Sequence, residues 1–219
     1  MHVTVGGRDY ELSETLQSDE LAPIFADAWT ASRVWTASCF LAEHLVEFAT
    51  NELTDAESHS FQVASTQASV IELGSGCGLA GIVAAVLGAK VVLSDQRTAV
   101  ELLERNVQNN LAGEERASVV EYRWGTSAED AGLPHATFDF ILISDCINPI
   151  YGTESWRNLA RSIDLLSHDK TITYLAHEAR GEDEAMTDFL AFSESFLAVE
   201  RIVQVPQQRL SLFKIRSRR

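Results

Sequence analysis

Two short alternating runs open the chain, Val3-Thr4-Val5 and Tyr10-Glu11-Leu12, on either side of Gly6-Gly7. Period-two alternation around two glycines predicts a β-hairpin, because glycine reaches the positive φ that tight hairpin turns need. Leu41, His44, Leu45 and Phe48 then recur at helical spacing and predict a helix starting near Thr36. Residues 50–67 are rich in serine and carboxylates and read as a loop or insertion. From residue 69 the texture changes to short apolar runs alternating with longer periodic ones. Strands are predicted at 70–73, 91–93, 118–122, 138–143, 171–175, 198–205 and 209–215. Helices are predicted at 79–87, 98–111, 156–166 and 187–196.

Strands separated by helices imply parallel neighbours, since a parallel pair needs a crossover. The strands are nearly continuous in apolar residues, as expected when both sheet faces are covered. Only Pro206 to Gln208 separates the last two, and so short a link makes an antiparallel hairpin. The fold expected is α/β: a Rossmann-like, seven-stranded, mostly parallel sheet with one antiparallel strand and helices on both faces. Residues 1–33 form an N-terminal hairpin extension and 34–219 the main domain. Ligands in such sheets lie at the carboxyl ends of the strands, where strand order reverses.

Composition narrows the picture further. With 219 residues, 46% of them apolar, one domain can bury its own core. The most apolar stretch, Ile82 to Leu93, is broken by Gly88 and Lys90, so no membrane span is expected. Residues 1–10 lack the basic start and apolar run of a secretory signal. Cys39, Cys77 and Cys146 are odd in number and widely spaced, without metal-ligand spacing; they read as reduced thiols in a cytoplasmic or nuclear protein. A net charge of −15 disfavours nucleic acid as a partner and favours a cationic one, although acidic surfaces also serve solubility alone.

The chemistry concentrates in Glu72-Leu-Gly74-Ser75-Gly76-Cys-Gly78, between a predicted strand and a helix. Glycines there let main chain approach a ligand with no Cβ in the way. Their spacing differs from the dinucleotide fingerprint, which seats a pyrophosphate on the helix N-terminus. S-adenosylmethionine has no phosphate but needs acceptors for its ammonium and ribose groups, and Glu72 suits that need. Asp95 ends the next strand, where a carboxylate can accept from both ribose hydroxyls or else cap the following helix.

Together these features resemble class I S-adenosylmethionine-dependent methyltransferases, and more narrowly the family-16 lysine methyltransferases. The narrower resemblance rests on Arg33-Val-Trp35, on the glycine motif, on Arg123-Trp124-Gly125, and on Asp145-Cys-Ile followed by His177-Glu178-Ala-Arg180. It spans roughly residues 30–216 and implies a monomer that transfers methyl groups to lysine on a protein substrate. It also implies roles. Trp35 lines the cofactor pocket, and Gly74, Ser75, Gly76 and Gly78 lie along the methionine part. Asp95 and Gln96 hold the ribose, Trp124 packs near adenine, and Ser144 and Asp145 border the methionine end and the substrate amine. Asn148 stands where the family has tyrosine, and Tyr151 is the nearest tyrosine, so Asp145, Asn148 and Tyr151 are the candidates around the reacting amine. Glu178 and Arg180 read as a structural pair and His177 as a satisfied polar residue. The Asn148 departure leaves room for a small-molecule substrate, with 50–67 as a candidate lid, or for a binding module without turnover.

Overall fold

A computed structural model describes residues 1–14, 30–50, 61–63 and 67–219. The hairpin forms as β1 (His2–Val5) and β2 (Arg8–Glu11), turning at Gly6 and Gly7, both at positive φ. Helix α1 (Thr36–Thr50) follows. The main sheet contains β3 (Ser69–Leu73), β4 (Lys90–Asp95), β5 (Ala117–Glu121), β6 (Phe138–Ser144), β7 (Ser167–Glu178), β8 (Leu197–Val205) and β9 (Leu210–Ser217). Its order is β5-β4-β3-β6-β7-β9-β8. Every pairing among β3 to β7 is parallel, and β9 runs antiparallel to both of its neighbours, β7 and β8. The expected single antiparallel strand is therefore β9.

Helices α2 (Leu79–Val86) and α3 (Arg97–Leu111) join α1 on one face, and α4 (Thr153–Leu165) and α5 (Glu184–Ser193) cover the other. The strand pleat sorts side chains between these layers. On β3, Val70 packs with α1 and α2, whereas Ile71 and Leu73 pack with α4 and α5.

Three differences from expectation have physical causes. Strand β7 begins four residues early, because His168-Asp169-Lys170 is polar yet extended beside a register shift against β6. Helices α4 and α5 start about one turn earlier than expected: α4 adds the polar turn Thr153-Glu154-Ser155 behind Gly152, and α5 adds Glu184 and the buried Ala185 and Met186 behind Asp183. Within the stretch read as a polar loop, Thr50 ends α1, and Phe61 and Val63 are buried in the core. The rest of that candidate lid, 51–60 and 64–66, lies outside the described residues.

The hairpin is tied to the main domain by two asparagines of α3. Asn106, fully buried, accepts the Ser13 N–H at 2.7 Å and donates to the carbonyls of Ser13 and Cys77, each at 3.0 Å. Asn110 pairs with the main chain of Glu11 in both directions. Val5, Tyr10 and Leu12 share one apolar cluster with α1 and α2.

Candidate active site

Strand order reverses between β3 and β6, and a cleft of about 490 Å³ opens at their carboxyl tips. Trp35, Gly74, Ser75, Gly76, Asp95, Gln96, Trp124, Ser144, Asp145 and Tyr151 all line it. Glu72, Gly78 and Asn148 do not.

The floor of the cleft is the turn from β3 into α2. Gly74 has φ +66, and a Cβ there would lie 2.6 Å from Cys146 Sγ and 2.9 Å from Trp124 Cζ2. Gly76 has φ +53, and a Cβ would meet the Ala31 carbonyl at 3.2 Å. Both positions therefore need glycine for conformation and for space. Gly78, expected beside the ligand, serves packing instead: at φ +83, a Cβ would strike Leu103 Cδ1 at 2.5 Å.

Glu72 also lies elsewhere than expected. The pleat of β3 turns it towards α2, beneath the glycine turn, and it is completely buried. Its Oε2 accepts the Gly81 N–H at 3.2 Å. Gly81 lies in the first turn of α2, where amides lack helical partners, so the carboxyl caps the helix from the strand. A Cβ at Gly81 would sit 2.6 Å from that same Oε2, which explains a glycine inside the helix. Among the described residues Oε1 has no hydrogen-bond partner, and burial pushes the carboxyl up to about 8.

Asp95 holds the turn from β4. Its Oδ2 accepts the Gly76 N–H at 2.8 Å and its Oδ1 the Gln96 N–H at 2.7 Å. Burial raises its carboxyl, and these two amides pull it back. Each oxygen keeps a second lone pair for a ligand hydroxyl.

On the opposite wall, Asp145 follows β6 in a left-handed conformation, φ +57, held by its N–H on the Ala176 carbonyl at 2.9 Å. Its side chain is 2% exposed, and both oxygens are taken by the two terminal nitrogens of Arg180, the Oδ1 contact being 2.9 Å. Arg180 meets Glu178 Oε2 only at 3.9 Å, so its main partner is Asp145 and not the Glu178 of the expected pair. The sequence signal was available: Asp145 and Arg180 are opposite charges just past the tips of adjacent parallel strands. The Arg180 guanidinium also lies 5.3 Å from the Trp35 ring centre, and that of Arg33 lies 5.2 Å from it. His177 Nε2 contacts Asp183 at 2.9 Å, whereas its buried Nδ1 has no hydrogen bond among the described residues and sits 3.9 Å from Asp145, so among them it is half satisfied.

Asn148 points away from the cleft. It caps the short 3₁₀ turn Pro149–Tyr151, accepting the Ile150 N–H at 3.2 Å. That turn brings Tyr151 to the cleft wall. Burial pushes the phenol up to about 12, partly offset by a bond with Thr30. Thr30 and Ala31 were missed by sequence reasoning and also line the cleft.

Bare main chain at Gly74 and Gly76 beside a buried carboxylate and an indole suits a nucleoside ligand without phosphate. A family model described as lysine methyltransferase matches residues 26–195. The chain belongs to that family. Its cofactor is S-adenosylmethionine, and the family reaction is methyl transfer to lysine. The methyltransferase is 33% identical over 152 residues to mouse "Protein N-lysine methyltransferase METTL21A", covering 68% of this chain and 66% of that protein. The Xenopus tropicalis protein of the same name is 31% identical over 190 residues, covering 86% and 78%. Among solved structures, the T. thermophilus 16S rRNA N2 G1207 methyltransferase, in complex with AdoMet and guanosine, overlays with a TM-score of 0.63. That match covers this whole chain and 50% of the other at 15% identity, a likeness of fold alone. No helix among the described residues is long and apolar enough to cross a membrane.

Proposed function

We propose that this methyltransferase N-methylates a lysine side chain presented by a protein partner, with residues 34–219 as the catalytic domain and 1–33 as an N-terminal extension whose hairpin is tied to that domain. The observation that carries this reading is one cleft holding the glycine turn and Asp95 on one side and Asp145 and Tyr151 on the other. Gly74, Ser75 and Gly76 would hold the methionine part through main chain, Asp95 and Gln96 the ribose, and Trp124 the adenine. Trp35 and Ser144 would border the methionine end. Glu72 and Gly78 would act indirectly, by fixing the start of α2.

The cofactor supplies an electrophilic methyl group on a sulfonium; the protein supplies position and field. A lysine must reach the methyl as a free amine, and its ordinary value of about 10.4 makes that form scarce at neutral pH. Tyr151, held protonated, is a hydrogen-bond donor and acceptor for the amine and no base for it. It also supplies the wall with a tyrosine where Asn148 does not. Asp145 orients the amine without carrying a bare charge, because Arg180 holds both its oxygens.

A protein substrate is supported by the relatives' names, and a cationic one by the net charge of −15. A place in the cytoplasm or nucleus agrees with the free Cys39, Cys77 and Cys146, and a monomer is what the family likeness implies. The test is calorimetric titration with S-adenosylmethionine, then incubation of a lysate with labelled cofactor and acid hydrolysis. Methyl-lysine is the expected product; a labelled small molecule or nucleic acid in its place overturns the substrate class.

A further inference from the structure

We infer that Arg180 is the positioning residue that sets the charge state of the substrate amine, by cancelling the carboxylate of Asp145. The inference rests on the reading of this cleft as a lysine methylation site.

An isolated carboxylate at the wall of a lysine channel would oppose the reaction. It would favour the ammonium form of the incoming side chain, which has no lone pair to attack with. The arrangement here avoids that. Asp145 lines the cleft, yet its side chain is only 2% exposed and both oxygens are engaged by one guanidinium. Arginine suits this task because its planar fork matches a carboxylate and keeps its proton at any working pH. The pair is fixed from three sides. The Glu178 N–H also approaches Asp145 Oδ1, at 3.4 Å, and Arg180 donates to the Glu178 carbonyl at 3.2 Å. Trp35, itself a cleft residue, lies against the guanidinium at 5.3 Å.

The other ionisable groups around the pair can be named. Glu178 Oε2 lies 3.9 Å from Arg180. His177 Nδ1 lies 3.9 Å from Asp145, with its Nε2 held on Asp183. Arg33 lies on Trp35, and Tyr151 and Cys146 carry protons held by burial. Asp95 belongs to the cofactor side of the cleft. Of these, only the guanidinium makes a bidentate contact with Asp145. Its loss would leave the carboxylate bare beside the amine, and the loss of Asp145 would leave a bare cation there.

The test is the pH dependence of methyl-lysine formation by the full chain, on lysate proteins with labelled S-adenosylmethionine, from about pH 6.5 to about pH 10. Activity rises with pH as the amine loses its proton. Arg180→Gln is expected to move that rising limb up by about one pH unit, costing roughly tenfold at neutral pH and recovering at the alkaline end. Arg180→Lys keeps a cation and is expected to return the limb most of the way. Asp145→Asn leaves the cation unopposed and is expected to move the limb down, whatever it does to the maximal rate. Cofactor affinity by calorimetry should stay within about threefold for both Arg180 variants, because Arg180 does not itself line the cleft and touches it only from behind Trp35 and Asp145. A loss for Arg180→Gln that is equal at every pH would make Arg180 a strut and overturn the inference. If Arg180→Gln does not fold, Asp145→Asn decides alone, and a limb that stays in place overturns it. Absence of methyl-lysine from the unmodified protein removes the underlying reading instead, and the inference with it.

Discussion

Asp95 at the tip of β4 accepts the Gly76 amide at 2.8 Å, so the acid expected to meet the ribose also fastens the glycine turn. One side chain thus fixes the turns that follow both β3 and β4. Asp95→Ala should weaken S-adenosylmethionine binding by about 10- to 100-fold, the worth of one or two charge-assisted hydrogen bonds. It should also lower the melting temperature, because the Gly76 and Gln96 amides lose their acceptor. Calorimetry and a thermal melt check both. Unchanged affinity would remove Asp95 from the cofactor site.

Glu72 gives a signed pH dependence. Its carboxyl is raised from about 4.5 unfolded to about 8 folded, by burial. A raised acid stabilises the fold fully below its unfolded value, and that benefit is lost as pH climbs through the folded value. Stability should therefore fall between about pH 4.5 and about pH 8, by up to about 1.4 kcal/mol per unit, then level off. Denaturant titrations at several pH values on Glu72→Gln, which still offers an acceptor to Gly81, should show this slope removed. A slope that persists in the variant places its origin elsewhere.

The glycines should separate by role. Gly78→Ala adds a strained positive φ and a contact of 2.5 Å with Leu103, and should cost about 2 kcal/mol or more of stability. Gly74→Ala puts its methyl against Cys146 and Trp124 at the cleft floor and should cut cofactor affinity well beyond its effect on folding. Equal ratios of binding loss to stability loss in the two variants would contradict this division.

Tyr151→Phe should leave cofactor affinity unchanged and lower kcat/KM on protein substrate by roughly tenfold, the scale of one hydrogen bond. Because burial pushes the phenol up to about 12, the variant's pH profile should keep its shape. A profile that loses a limb in the variant would make Tyr151 a titrating group after all.

Asn106→Ala should cost about 2 to 3 kcal/mol by chemical denaturation, since Ser13 and Cys77 main-chain groups lose partners in a buried setting. Its effect should extend to cofactor binding, because Cys77 lies inside the glycine turn. A stability loss with intact binding would show the hairpin to be energetically separate from the site.

The main sheet was legible because its central strands β3, β4 and β6 are apolar blocks stopped by Gly74, Asp95 and Asp145, and because Pro206–Gln208 leaves no room for a crossover. The cleft residues on backbone turns were legible for a similar reason: glycine spacing encodes main-chain shape. What stayed hidden were the directions of side chains. Glu72 precedes Gly74 by two positions, and only the pleat of β3 reveals that it faces α2. Asn148 sits at a familiar position, but Pro149 bends the chain so that its amide caps a turn and Tyr151 takes the wall. Arg180 and Asp145 are 35 residues apart, and their meeting depends on β6 and β7 being neighbours in parallel register. Thr30 and Ala31 carry no motif, and they reach the cleft because the segment before α1 leans over Gly76.

Strand β9 sits between two strands made before it, and β8 has no other neighbour in the sheet. During synthesis, then, β8 leaves the ribosome with no edge to join and must wait for the residues of β9. Until that insertion, β7 also keeps an open row of amides and carbonyls on its outer side. The growing polypeptide thus carries unpaired strand edges until the last strand of this sheet is made.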